Sequence, residues 1–412
     1  MRAATSNSSS DINAVAPNAA NSKAIARIAS VDAYRGFVML LILAEVFSSC
    51  LVSASVPGSQ VWSLICDQQS HSAWVGMSLH DLIQPSFYFL VGVSVVLSGA
   101  RRSRPRSSTE FLARTAFRSV TLIALGVVLI AINLPHWEWH FFDTLAQIGL
   151  AYPFLVLVAA RPKSNWLVCL AAILIGYWLW FAVWPLPTSV DFESVGVSAG
   201  WLRQHGLDGF AGHWQKNGNV AAEFDRWFLN LFPRNTPHVG YESGLTTLNF
   251  IPSVGTMIFG LLAGDVLMSG QKPAQKIRWF AFTGSTLIVV ASMLHVLGVS
   301  PIVKAIWTPG WVLFSGGWCV LLLAAFFKVV DCKGYRRLAL PLRVVGMNSV
   351  FAYAMHRAYP AFAFNSFRRL LGPVPFRVLG TAYEPALYGT AIFSAYLIVL
   401  WLMYRRGIFV RV

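Results

Sequence analysis

One stretch of this chain begins with a histidine and runs into an apolar segment: HSAWVGMSLHDLIQPSFYFLVGVS, from His71 to Ser94. A histidine and a serine open the stretch, and its later residues are apolar enough to enter a membrane. Ser78 and Asp81 have the spacing of a capping box, which satisfies backbone N–H groups at the start of a helix. The stretch therefore predicts a transmembrane helix near residues 79–98, with a titratable histidine just outside it.

The composition places this helix in a polytopic membrane protein. Of the 412 residues, 56% are hydrophobic and only 12% are charged, whereas soluble proteins carry about 25% charged residues. Apolar runs long enough to cross a bilayer recur along the chain. We predict an all-α fold with about ten transmembrane helices, near residues 36–56, 79–98, 118–134, 143–160, 165–186, 246–268, 279–298, 308–328, 344–364 and 386–404.

Basic residues give the chain a net charge of +15, and they lie in short clusters between the apolar runs. A nucleic-acid binder is one explanation of such an excess. The clustering instead follows the positive-inside rule, so we expect no nucleic-acid partner. With a cytoplasmic N-terminus, every basic cluster and the C-terminus fall on the cytoplasmic side.

Two segments outside the predicted spans follow from this topology. Residues 1–27 are rich in Ala, Ser and Asn and have no apolar core, so we expect a disordered cytoplasmic tail and not a signal peptide. Residues 28–412 then form one transmembrane domain. Within it, residues 187–245 are the only sizeable extramembrane piece, and we expect them to cover the outer face as a lid.

The five cysteines do not have the spacing of a metal site, and no metal is expected. Cys50 and Cys66 both fall on the predicted outer side. An oxidising compartment permits a disulfide between them without requiring one.

Ionisable residues in or beside apolar spans are candidates for function because burying them is costly. Six polar residues fall toward the predicted outer ends of spans, where they can line one cavity: His71, Asp81, Asp143, Gln147, Glu242 and His356. Structural roles stay open for several of these residues. Asp81 can serve only the helix cap, Asp143 only the helix dipole, and Glu45 only a buried pair. We interpret His80 as an interfacial side chain, and His136 and His140 as part of a membrane-surface belt.

Motifs along residues 28–412 resemble those of the heparan-α-glucosaminide N-acetyltransferase family of polytopic membrane proteins. The segment His71–Ser94 resembles the family signature. The other motifs, in order, are Ser30–Gly36, Asp143–Gly149, Tyr241–Leu245, Pro301–Trp307, Gly346–Ser349 with His356 after it, and Tyr404–Phe409. The chain departs from the family pattern at Glu45, Val75 and Ile148.

The resemblance implies an acetyltransferase that takes acetyl from cytoplasmic acetyl-CoA and places it on an amino sugar across the membrane. It makes His71 the catalytic histidine, either as an acetyl carrier or as a general base, and Asp81 is suited to orient it. Imidazole has an unperturbed pKa of about 6.5 and suits either role. The candidate substrate-binding residues are Trp74, Asp143, Gln147, Glu242, Lys304, Trp307, Asn348 and His356. Those expected to bind acetyl-CoA are Asp32, Arg35, Arg101 and Arg118, since arginine binds phosphate well.

The expected partners are an amino sugar or glycan acceptor and membrane lipid, and the expected location is a bacterial inner membrane. The resemblance also suggests a homodimer, which nothing in the residues requires. The alternative function is a sugar transporter or binding protein on the same scaffold, and an inactive structural member is a third. No clear internal repeat is found, and the polar residues cluster toward the outer side and not at midplane, which favours the enzyme.

Overall fold

The computed structural model describes residues 28–100, 108–186 and 191–410, and in these ranges the regular secondary structure is helical apart from one isolated bridge pair. The α-helices are α1 (Ala29–Leu43), α2 (Ser49–Ser55), α3 (Gln60–Gln69), α4 (Ile83–Ala100), α5 (Ser108–Ala131), α6 (Thr144–Ala159), α7 (Lys163–Val183), α8 (Ala199–His205), α9 (Val220–Leu229), α10 (Phe250–Met268), α11 (Pro273–Val296), α12 (Pro309–Phe326), α13 (Leu340–Met347), α14 (Ser349–Ala358), α15 (Pro360–Leu371) and α16 (Glu384–Arg405). The prediction of an all-α polytopic membrane protein is confirmed.

The number of long apolar helices is smaller than the ten spans predicted. Among the described residues, seven helices are long and apolar enough to cross a membrane, or eight if α1 and α2 count as one bent span. The predicted span 143–160 is a helix of 16 residues, shorter than the ~20 residues needed to cross a bilayer. The predicted span 344–364 is divided among α13, α14 and α15.

Local backbone geometry explains the interrupted spans. The first one bends by 41° between Phe47 and Ser49, because Ser48 adopts a left-handed conformation with φ 50°. In the later span, Asn348 and Tyr359 leave helical geometry at the two breaks. Pro360 follows the second break, and a proline disfavours helical geometry in the residue before it. A hydropathy average does not detect such breaks, because it measures side-chain polarity and contains no information on backbone angles.

Close packing against α10 holds α4, the helix that carries the later part of the segment His71–Ser94. Gly92 and Gly260 face each other across this contact, and a Cβ atom on either would overlap the backbone of the opposite helix. Gly264 lies one turn further along the same contact, against Val93. The GxxxG pair in α10 therefore works as a helix-packing motif, as its sequence indicates.

At the end of the bundle where α4 begins, loops and short helices pack together. Val75 and Val303 form an antiparallel bridge, and the amide of Gly76 donates to the carbonyl of Ile302 at 3.0 Å. These contacts join the loop before α4 to the loop between α11 and α12. A disulfide between Cys50 and Cys66, with Cα atoms 4.7 Å apart, connects α2 to α3 beside them.

Candidate active site

A cavity of about 280 Å³ lies at this end of the bundle, and we call it the histidine cavity. Of the candidate site residues, those that line it are His71, Trp74, Asp81, Asp143, Glu242, Lys304 and His356. Glu45, His80, Thr144, Tyr353 and Arg357 also line it. The structure therefore brings together side chains from spans that lie far apart in the sequence.

Asp81 lies in the turn that leads into α4, and its two carboxylate oxygens serve different partners. Oδ2 accepts from the backbone amides of Ser72 and Ser78, at 3.1 and 3.0 Å. Oδ1 lies 2.7 Å from Nδ1 of His71. The side chain of Asp81 is fully buried. The helix-capping role and the histidine contact proposed for this carboxylate thus occur together.

Lys304 completes a three-residue cluster with this pair. Its Nζ lies 3.0 Å from Oδ1 of Asp81 and 3.0 Å from Nδ1 of His71. The bridge between Val75 and Val303 places the two loops side by side, which brings this lysine to a carboxylate more than 200 residues earlier. Its side chain is 12% exposed.

The contacts determine which nitrogen of His71 carries the proton. An ionised carboxylate only accepts hydrogen bonds, and Asp81 receives them from two amides and from Lys304. The 2.7 Å contact of Nδ1 with this carboxylate assigns the proton to Nδ1, with the hydrogens of Lys304 directed to Asp81, and Nε2 keeps its lone pair. The imidazole side chain is 60% exposed at the cavity, so that lone pair is accessible.

Electrostatics keep this imidazole neutral. Desolvation within the cavity and the positive charge of Lys304 lower the pKa of His71, although the hydrogen bond and charge of Asp81 oppose the shift. Burial likewise lowers the pKa of Lys304, while Asp81 opposes that change. A neutral histidine oriented by a buried carboxylate is suited to act as a base or as a nucleophile.

A second polar cluster centres on Glu45 at the bend between α1 and α2. Its Oε1 lies 3.2 Å from Nε2 of His80, and its Oε2 lies 3.1 Å from Nε2 of His356. The ring centroids of His80 and His71 are 4.7 Å apart. The two clusters therefore share the cavity. His80, predicted to be an interfacial side chain, is instead one of its lining residues.

A neighbouring cavity of about 320 Å³ contains two arginines, and we call it the arginine cavity. Arg35 donates to Oγ of Ser94 at 2.9 Å and lies 3.4 Å from Asp32. Arg118 lies over the ring of Tyr152, 4.5 Å from its centroid. Most other lining side chains are apolar.

Two residues border both cavities. Thr144 and Tyr353 line the histidine cavity on one side and the arginine cavity on the other. The hydroxyl of Tyr353 donates to Oδ2 of Asp143 at 2.6 Å. The same carboxylate caps α6 by accepting from the amide of Leu145. One layer of side chains therefore separates the two cavities.

The remaining candidates lie in the scaffold or outside the described residues. Gln147 donates to the carbonyls of Phe141 and Thr247. Trp307 is fully buried, with its ring 4.9 Å from that of Tyr88. Asn348 binds the C-terminal segment, donating to Ile408 and accepting from Val410. Arg101 lies outside the described residues. Within the described ranges, no group of three or more His, Cys, Asp or Glu side chains is placed to hold a metal ion.

Fold and site together define a class of protein: a polytopic α-helical membrane protein with a His–Asp–Lys cluster at one end of its bundle. Residues 27–190 match the family model described as heparan-alpha-glucosaminide N-acetyltransferase, catalytic. The chain is 24% identical over 376 residues to the heparan-alpha-glucosaminide N-acetyltransferase of Homo sapiens, and 25% identical over 373 residues to that of Mus musculus. The resemblance indicated by the motifs is thus confirmed. These alignments cover 81% and 80% of this chain and 53% of each relative, so the chain spans about half the length of the curated relatives it matches.

Proposed function

We propose that this protein is a transmembrane acyltransferase that transfers acetyl from acetyl-CoA to an amino sugar. The acetyl-CoA is cytoplasmic and the acceptor extracytoplasmic, in a bacterial inner membrane. One observation carries the proposal: a neutral, carboxylate-oriented histidine lies in a cavity that adjoins a second cavity containing two arginines. The names of the relatives support the same chemistry. The segment 191–245 would serve as the outer lid.

In this proposal, His71 acts on the acetyl group through Nε2. It either attacks the thioester carbonyl and carries the acetyl group, or removes a proton from the attacking amine. Asp81 holds Nδ1–H and so keeps the lone pair on the opposite nitrogen. Lys304 pairs with Asp81, and desolvation together with the charge of Lys304 favours the neutral imidazole.

The charges of the histidine cavity suit an acceptor that carries an ammonium group. Its lining includes four carboxylates: Glu45, Asp81, Asp143 and Glu242. The lining also includes two basic side chains, Lys304 and Arg357. With neutral histidines the carboxylates outnumber the basic side chains, in a chain whose formal net charge is +15. An amino sugar is protonated near neutral pH and is attracted to such a lining.

The arginine cavity suits acetyl-CoA. Arg35 and Arg118 would bind phosphate oxygens through charge-assisted hydrogen bonds, and the apolar lining would accept the pantetheine arm. Arg118 also borders a further cavity, which is lined by Lys163 and its ion-pair partner Asp265. The thioester would then reach the histidine cavity past Thr144 and Tyr353.

The test is acetyl transfer by the purified protein in liposomes, with labelled acetyl-CoA on one side and a panel of amino sugars on the other. We expect His71→Ala to lower the transfer rate by about 10²-fold or more, the usual contribution of a positioned base or nucleophile. His136→Ala is the matched control, because His136 is an exposed histidine outside the cavity. The control variant should transfer acetyl at the wild-type rate.

Two outcomes would contradict the proposal. Equal acetylation by wild type and His71→Ala would remove the role of this histidine. Accumulation of unmodified sugar in the vesicles, independent of acetyl-CoA, would support a transporter instead.

A further inference from the structure

Acetylation of an amine that starts as an ammonium requires two proton removals from the same nitrogen. The first frees the lone pair that attacks the acetyl carbonyl, and the second follows formation of the C–N bond. This count holds whether the acetyl group is carried by the histidine or transferred directly. A neutral imidazole accepts one proton at a time, so one histidine cannot hold both.

The first cluster has no spare base. In the carrier route, the lone pair of His71 is occupied by the acetyl group at the moment when the ammonium must be deprotonated. Asp81 is fully buried and accepts hydrogen bonds from two amides, a lysine and the imidazole. A second base has to come from elsewhere in the same cavity.

The Glu45 cluster has the arrangement required. A carboxylate accepts only, so Nε2 of His80, 3.2 Å from Oε1 of Glu45, is the protonated nitrogen. Nδ1 of His80 then keeps its lone pair, on a ring whose centroid is 4.7 Å from that of His71. The contact between His80 and Glu45 thus repeats that between His71 and Asp81, with the nitrogens exchanged.

His356 holds Glu45 from the other side. Its Nε2–H donates to Oε2 of Glu45 at 3.1 Å, and its side chain is 7% exposed. Its Nδ1 is buried without a hydrogen-bond partner among the described residues. Two imidazoles therefore fix one carboxylate, while Arg357 and Asp143 complete the charged lining around them.

We propose that His80 is a second catalytic base, positioned by Glu45 and His356, and that a primary ammonium is the ligand bound beside it. This inference rests on the proposed function. An N–H bond of the ammonium breaks, its electron pair stays on nitrogen, and the proton moves to Nδ1 of His80. The carboxylate of Glu45 compensates the resulting imidazolium.

The later steps balance the reaction. The free amine attacks the acetyl carbonyl, and the bond from that carbon to sulfur, or to His71 if the acetyl group is carried, breaks. His71 takes the second proton from the new amide nitrogen. In direct transfer it passes that proton to the CoA thiolate; in the carrier route it returns the proton to water, from which the departed thiolate has taken one. In sum, an ammonium and acetyl-CoA give an acetamide, CoA thiol and one proton, which His80 returns to water in the cavity.

The test compares two acceptors in liposomes containing the full chain. Glucosamine is largely an ammonium near neutral pH, whereas hydroxylamine is largely neutral and needs no first deprotonation. We expect Glu45→Gln and His80→Gln each to lower kcat/KM for glucosamine by about 10²-fold. With hydroxylamine, after the uncatalysed background is subtracted, both variants should stay within about threefold of wild type. His136→Gln is the control and should leave both values unchanged.

The hydroxylamine rate also shows that each variant is folded. Raising the pH deprotonates glucosamine in solution, so the defect of the variants should shrink, which a purely structural defect would not do. Equal losses with both acceptors, or no loss with glucosamine, would overturn the second base. A wild type that acetylates neither acceptor would overturn the proposed function itself.

Discussion

The two cavities differ in charge and in the source of their side chains. The histidine cavity is polar, has more carboxylates than fixed cations, and is built largely from loops and helix ends. The arginine cavity has two arginines, a mostly apolar lining, and no carboxylate among its described lining residues. One chain with a large positive net charge thus presents a negative site and a positive site side by side. The contrast fits a cationic acceptor and an anionic donor that meet at Tyr353.

The largest predicted effect concerns the orientation of His71. In Asp81→Asn, the new amide can donate to Nδ1 and so place the proton of the imidazole on Nε2, which removes the lone pair from the cavity. We expect acetyl transfer to fall by about 10²–10⁴-fold. Steady-state kinetics with labelled acetyl-CoA measure this change. A variant with near wild-type activity would show that Asp81 serves only the helix cap.

A smaller effect tests whether the two cavities bind different substrates. Arg35→Ala should raise the KM for acetyl-CoA about tenfold, since a charge-assisted hydrogen bond contributes about 1.5–3 kcal/mol, and should leave the acceptor KM unchanged. Glu242→Gln should do the reverse. Kinetics with each substrate varied in turn separate the two results. If both variants affect the same KM, the assignment of one cavity to each substrate is wrong.

The pH dependence of kcat/KM tests how the charges of the histidine cavity set the pKa of His71. In the proposed mechanism the neutral form of His71 is the active one, and desolvation and Lys304 lower its pKa in the cavity. The kcat/KM should therefore fall only as the pH drops below about 6.5, the ordinary value of imidazole. Lys304→Met removes a charge that lowers this pKa, so the acidic limb should move to higher pH. An acidic limb that stays in place would exclude the lysine from control of this histidine.

The smallest effect is expected at Asn348, whose side chain binds the C-terminal segment. Asn348→Ala should cost about 1–3 kcal/mol of stability, seen as a lower Tm in detergent, without a change in acceptor KM. The opposite result, an unchanged Tm with a raised acceptor KM, would place this amide in the acceptor site.

Much of the fold follows from hydropathy, and the exceptions have local causes. The long apolar runs that form α7, α10 and α12 are single continuous helices, as hydropathy predicts. The bend at Ser48 depends on a backbone angle that composition does not encode. Pro360, by contrast, is a visible signal that a span over residues 344–364 must break.

The site was less accessible from the sequence because its key contacts are long-range. The sequence predicts Asp81 as a residue suited to orient His71, and in the structure its Oδ1 lies 2.7 Å from Nδ1 of His71. The meeting of Lys304 with this pair depends on the joining of two loops, which no local spacing indicates. His80 is predicted to lie at the interface, whereas its partner in the structure, Glu45, lies 35 positions earlier on another helix. Two ionisable residues inside predicted spans, Glu45 and His356, are the sequence signals for this second cluster.

The single bridge between Val75 and Val303 has a consequence for biosynthesis. His71 is made early, just before the second span, but its lysine partner is made only after roughly three quarters of the chain. A ribosome-bound intermediate that ends before residue 300 therefore holds the imidazole without the cation that tunes it. Competence for chemistry would arise late in membrane insertion, when the two loops join.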